Sequence, residues 1–116
     1  MENLFDMVSI DDFAKLDLRV GEILSVEEHP RADKLLVLKV DFGEEIEERV
    51  IVAGLKGHYS LDELKGKKAI FIVNLESVTL RGVESNGMIL AASDGGKENV
   101  KILMVDGDLG VGSKVS

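Results

Sequence analysis

Apolar and polar residues alternate over much of the chain, the period-two signature of half-buried strands. Leu18 and Val20 alternate with Asp17 and Arg19, and after Gly21 the apolar positions become Ile23, Leu24 and Val26. A change of phase at a glycine predicts a bulge or sharp bend there. The polar string EEHPRAD (27–33) breaks the strand. Leu36, Leu38, Val40 and Phe42 then point one way and Val37, Lys39 and Asp41 the other,. A mostly polar turn over 43–48 leads into a third strand, 49–53. Ser60 with Glu63 three residues on predicts a capping box opening a short helix that Gly66 ends,. Residues 69–73 read as a central strand and 87–92 as a fifth, and 100–105 and 111–115 as further short strands. Upstream, Leu4, Phe5, Val8 and Phe13 form a rough apolar stripe, and Ser9 with Asp12 predicts the cap of a short helix through Leu16,.

Three strands, a short helix and two more strands are the order of the five-stranded oligonucleotide/oligosaccharide-binding (OB) barrel. The fold class expected is therefore all-β, a five-stranded OB-fold barrel with short helices, in a single domain over 1–116. The barrel core accounts for about 17–94, leaving 1–16 and 95–116 as N- and C-terminal extensions. The 116 residues fit one domain near the commonest size,.

Composition narrows the function. With no cysteine there are no disulfides, thiolate metal sites or cysteine nucleophiles,. No run approaches the roughly 18 apolar residues of a spanning helix, and the acidic N-terminus lacks the basic start of a secretory signal,. A cytoplasmic protein that does not contact a membrane is expected. The net charge of −8 argues at first against nucleic acid, whose binding rests on neutralising phosphates,. That charge is unevenly placed, however. Residues 1–28 hold eight acids and two bases, whereas 29–101 hold twelve acids and eleven bases. The middle of the chain is near neutral and has room for a local basic face.

Catalytic chemistry finds no foothold. No phosphate-binding GKS or GKT loop occurs, and GDLGVG (107–112) precedes no helical pattern,. His29 and His58 lack partners at metal-ligand spacing and are expected to be surface histidines,. No metal site, cofactor or enzymatic activity is expected.

Four strings lie in order across the barrel: DLRVGEI (17–23), HPRADKLLVLKVDFG (29–43), NL (74–75) and LRGVESNGMILAA (80–92). At these residues the chain resembles the tRNA-binding domain family, over about 10–116. That family includes the C-terminal domain of many methionyl-tRNA synthetases and free-standing beta-subunit forms. The resemblance implies a structure-specific, largely sequence-independent binder of tRNA that carries out no catalysis and is associated with methionyl-tRNA synthetase. It also implies a homodimer whose contact uses the terminal extensions. Carried over residue by residue, it implies tRNA-binding roles for Lys34, Lys39, Arg49, Asn74, Arg81, Ser85 and Met88, with Gly82 and Gly87 as backbone requirements. The class I synthetase signatures HIGH and KMSKS are absent. The chain departs from many relatives after NL, where Glu76-Ser77-Val78-Thr79 replaces a Pro and one or two Lys; a glutamate on the phosphate path weakens binding there.

Physical chemistry agrees with a reader of backbone and shape. Readers of single strands stack bases on aromatic platforms, whereas A-form RNA is read through phosphates and 2′-hydroxyls. The chain has four Phe, one Tyr and no Trp, and Phe42 and Phe71 fall at inward positions. Two rivals belong to other classes. One is a dimeric peptide-binding export chaperone of the same fold, which the chain resembles around DLRVG and the GM strand. The other is a dimerisation or docking scaffold that binds no RNA.

Overall fold

The computed structural model describes residues 6–96 and 98–116. Among these residues ten strands and two short helices follow one another: α1 (Ile10–Ala14), β1 (Leu18–Glu28), β2 (Leu36–Asp41), β3 (Glu48–Ala53), α2 (Leu61–Leu64), β4 (Lys68–Ile72), β5 (Val78–Leu80), β6 (Val83–Ser85), β7 (Met88–Ile89), β8 (Ala91–Ser93), β9 (Val100–Ile102) and β10 (Lys114–Val115). The main sheet runs β3-β2-β1-β4-β7, every pair antiparallel, and forms a nearly closed five-strand barrel of OB type.

β1 organises the barrel because it serves two partners in succession. Residues 18–22 pair with β4, and residues 22–28 pair with β2. A strand shared in this way must curl, and Gly21 lies on the inside of the curl. A Cβ there would come within 2.6 Å of both Val40 and Phe42. Phe42 instead packs edge-on against Phe71, with ring centroids 5.2 Å apart. Around this pair Ile23, Leu36, Leu38, Val40, Ile51, Leu64 and Ala69 form one contiguous core.

The phase change expected at Gly21 falls instead at Leu24, where the β1–β2 register shifts. Up to that point the inward positions of β1 are 19, 21 and 23. Leu18 and Val20 lie on the outer face, yet they are buried, because the C-terminal segment covers that face. β10 pairs with Leu18 and Arg19, Val20 donates its amide to Ser113, and Gly112 donates to Val20. Arg19 adds a cross-tie by donating to the Gly112 carbonyl at 3.0 Å. Hydrogen bonding from the Arg19 guanidinium also holds the Asp17 carboxyl below the usual aspartate range.

Local signals in the sequence act as expected at both helices. Ser9 caps α1 by accepting from the Asp12 amide, and Ser60 and Glu63 form the full capping box of α2. α1 stops at Ala14 and buries none of its own residues; Leu4 and Phe5 of the expected stripe lie outside the described residues. The strand expected over 87–92 divides at Leu90, its first part pairing with β4 and its second with β9. The strand expected over 100–105 ends at Ile102, and Met104 bridges to Ala69.

One element was not anticipated, the hairpin β5–β6. Leu80 pairs with Val83, so Arg81 and Gly82 alone form the turn, at φ +51° and +90°. Two left-handed residues define the type I′ turn, whose twist suits a two-residue hairpin. The base of the hairpin closes the barrel against β3. Asn86 donates to the Val50 carbonyl at 2.9 Å, and the buried Ser85 hydroxyl accepts from the Val52 amide at 2.9 Å while donating to the Gly87 carbonyl at 3.2 Å. Arg49 donates from the same end to the carbonyls of Val73 and Asn86.

Two stability measurements check this architecture. Gly21→Ala should destabilise by about 1–3 kcal/mol in urea titration, the usual range for overpacking a closed core. Gly54→Ala, where a Cβ meets nothing within 4 Å, should stay within about 0.5 kcal/mol. Ser85→Ala leaves a buried amide without its acceptor and should cost about 1–3 kcal/mol in the same assay.

Candidate nucleic-acid interface

The β1–β2 loop (29–35) and the tip of the β5–β6 hairpin meet at one end of the barrel, and a buried histidine joins them. Of the two histidines expected at the surface, His29 is only 5% exposed. Its Nε2 lies 2.8 Å from the Leu80 carbonyl oxygen, and its Nδ1 accepts from the Arg31 amide at 2.9 Å. Polar side chains are buried where their hydrogen bonds are met, and here both ring nitrogens have backbone partners. The base of the loop is closed by the His29 amide donating to Leu35.

This joint brings three cations together. Arg31, Lys34 and Arg81 line one depression of about 450 Å³ with Ala32, Asp33, Leu35 and Leu80. All three are exposed, and none has a carboxylate oxygen within 4 Å among the described residues. Gly82 leaves the turn open on this side, where a Cβ would sit 3.3 Å from the Arg31 guanidinium. Lys34 also borders a second depression, of about 620 Å³, lined by Lys56, His58, Gly54, Ala92 and Ser93. Lys56 is paired there with Glu28 at 3.0 Å.

Acidic residues collect at the other end of β2. Asp41, Glu44, Glu47 and Glu48 surround the turn that follows it. Six residues of strand separate the two ends by roughly 20 Å,, more than twice the Debye length of about 8 Å at physiological salt. The three cations of the basic end, with Asp33 beside them, are therefore screened from that acidic turn,.

Of the residues singled out in the sequence, Lys34 and Arg81 share this site, and Gly82 forms its turn. The others lie elsewhere. Lys39 is exposed on the outer face of β2 with Glu48 at 3.7 Å. Arg49 sits at the base of the hairpin with its guanidinium on main-chain carbonyls, and Ser85 is buried beneath the same closure. Asn74 accepts from the Asp17 amide at 2.8 Å and donates to the Lys15 carbonyl at 2.7 Å, fastening the connection from α1 to β1. Met88 is 44% exposed on β7, opposite Ile72. Gly87, at φ +140°, lets the chain pass the Ile72 carbonyl where a Cβ would stand 2.8 Å away. Arg31 was missed although it lies within the HPRADKL string; its position between His29 and Lys34 was the available signal.

Among the described residues no aromatic side chain lines this depression. Phe42 and Phe71 are buried, and Tyr59 is occupied by the Ile102 amide and the Lys101 ammonium. Among the described residues no three metal-ligating side chains gather, and no helix is long and apolar enough to cross a membrane. The site offers guanidinium and ammonium donors around a depression, a chemistry suited to phosphates rather than to stacked bases,.

Comparison with known proteins points the same way. The family model described as "Putative tRNA binding domain" matches residues 18–114. The chain is 54% identical over 114 residues to a methionine–tRNA ligase of Pyrococcus horikoshii, covering 98% of this chain and 15% of that enzyme. It thus spans about one seventh of the ligase's length and corresponds to a module of it. The crystal structure of a MetRS related protein from Pyrococcus horikoshii superposes with a TM-score of 0.87 at 37% identity, covering 97% of this chain and all of that one. The chaperone CsaA of Bacillus anthracis superposes with a TM-score of 0.86 at 28% identity, covering 96% of this chain and all of that one. By its sequence and by its barrel, the chain belongs to the tRNA-binding domain family.

Proposed function

We propose that this protein binds tRNA through the basic end of its barrel and serves methionyl-tRNA synthetase as a tRNA-holding unit. The observation that carries the reading is the convergence of Arg31, Lys34 and Arg81, unneutralised and exposed, on two loops held together by His29. OB barrels bind nucleic acid with the loop between strands 1 and 2 and the loop between strands 4 and 5; here these are 29–35 and the segment carrying the hairpin. Recognition rests on the phosphate path and the shape of the RNA, with no catalytic step. A unit of this kind raises the local concentration of tRNA at a tethered or associated active site.

A homodimer fits the same reading. Met7, Val8, Ile10, Phe13 and Leu16 leave an exposed apolar surface on and beside α1. Phe13, Leu16 and Val115 line a mostly apolar groove of about 260 Å³ between that helix and the C-terminal strand. A second copy covers this surface.

The likeness to a CsaA chaperone supports a second reading, in which that apolar surface receives unfolded peptide. Suppression of aggregation of a model unfolded protein, unchanged by added tRNA, would favour it.

Gel-shift titration of the full chain with unmodified tRNA at low salt tests the leading reading. Binding is expected at micromolar protein, with affinity falling linearly in log–log form as salt rises. Arg31→Ala, Lys34→Ala and Arg81→Ala should each lower the salt slope by roughly 1 across tRNA species. Lys39→Ala, already paired with Glu48, should change it little. Absence of a shift, or equal competition by duplex RNA of other shape, contradicts the reading. Sedimentation should give twice the chain mass, and Phe13→Asp should return it to one.

A further inference from the structure

We infer that His29 is a positioning residue for tRNA binding, its neutral imidazole fixing the loop that carries Arg31 and Lys34 against the hairpin that carries Arg81. The inference rests on the tRNA reading and adds to it how the cationic surface is held in shape.

The tautomer follows from the partners. A carbonyl oxygen only accepts, so the ring nitrogen facing Leu80 must carry the proton. A backbone amide only donates, so the nitrogen facing Arg31 must present its lone pair. Both distances, 2.8 and 2.9 Å, are those of good hydrogen bonds,. The ring is therefore neutral with its proton on Nε2.

Each bond ends on the main chain at or next to an arginine. The amide is that of Arg31 itself, and the carbonyl is that of Leu80, the residue before Arg81. Arg81 sits at φ +51°, in the left-handed region that non-glycine residues occupy only at a cost,. The Leu80 carbonyl, immediately before this turn, is where His29 takes hold. Three like charges around one depression also repel each other before phosphate arrives. A buried neutral tether keeps the two segments together without adding a fourth. Asparagine places an acceptor where Nδ1 lies, and glutamine a donor where Nε2 lies; only histidine supplies both.

The test uses the full chain and tRNA gel shifts at one low salt concentration. His29→Ala should weaken binding by about tenfold, the scale of losing a buried hydrogen-bonded link. His29→Asn keeps the bond to Arg31 and His29→Gln the bond to Leu80, so each should recover part of the loss. In an Arg81→Ala background, His29→Ala should cost less than about a further twofold, because the hairpin cation against which it holds Arg31 and Lys34 is gone. Two-bond 15N spectra of the unmutated protein should show a protonated Nε2 and a bare Nδ1. If His29→Asn and His29→Gln both bind like the unmutated chain while Arg81→Ala binds weakly, the positioning role is overturned. If the losses from His29→Ala and Arg81→Ala multiply in full, His29 acts on the fold alone and the role is overturned as well. A ring protonated on Nδ1 contradicts the tether directly. An unmutated chain that binds no tRNA overturns the functional reading and the role of His29 with it.

Discussion

β1 pairs along one half with β4 and along the other with β2, and the barrel closes only because Gly21 leaves the inside of that curl empty for Phe42. Every feature of the basic end depends on this closure. With β1 curled, its end at Glu28 delivers the loop 29–35 to the rim. The chain leaving β4 must then cross back to reach β7, and the β5–β6 hairpin is built into that crossing. Two segments about fifty residues apart in sequence thereby arrive at one place, where His29 joins them.

The same geometry keeps the basic end apart from the acidic turn of an anionic protein. Charge acts over the screening length, and β2 keeps the acidic turn at 43–48 farther than that from the loop at 29–35,. On the proposed tRNA reading, global charge slows encounter at low salt and the contact falls to Arg31, Lys34 and Arg81. Arg49 and Ser85 illustrate the complementary case. Ser85 lies in one of the family strings and Arg49 is given a role by the same resemblance, yet here their polar atoms are spent on main-chain partners that seal the barrel.

How legible each part was in the sequence follows from the range of the forces involved. Capping boxes and the alternation of β2 are local, and they were read directly from Ser60, Glu63, Leu36, Leu38 and Val40. Leu18 and Val20 misled because burial by a segment nearly a hundred residues away mimics a change of strand phase. The hairpin escaped because its strands are three residues long and its turn uses Arg81 where asparagine or glycine is the recognisable choice,. His29 escaped because its burial depends on a carbonyl from the unread hairpin. Of the cations, Lys34 and Arg81 were identified from family strings, whereas their convergence with Arg31 required the fold.

Hydrogen exchange of the full chain, followed by mass spectrometry with and without saturating tRNA, tests most directly whether the basic end of the barrel is the binding surface. The account predicts slowed exchange in peptides spanning 29–35 and 78–85, with the acidic turn at 43–48 unchanged. Protection confined to that turn or to the α1 surface, with 29–35 and 78–85 exchanging as in the free protein, would contradict it.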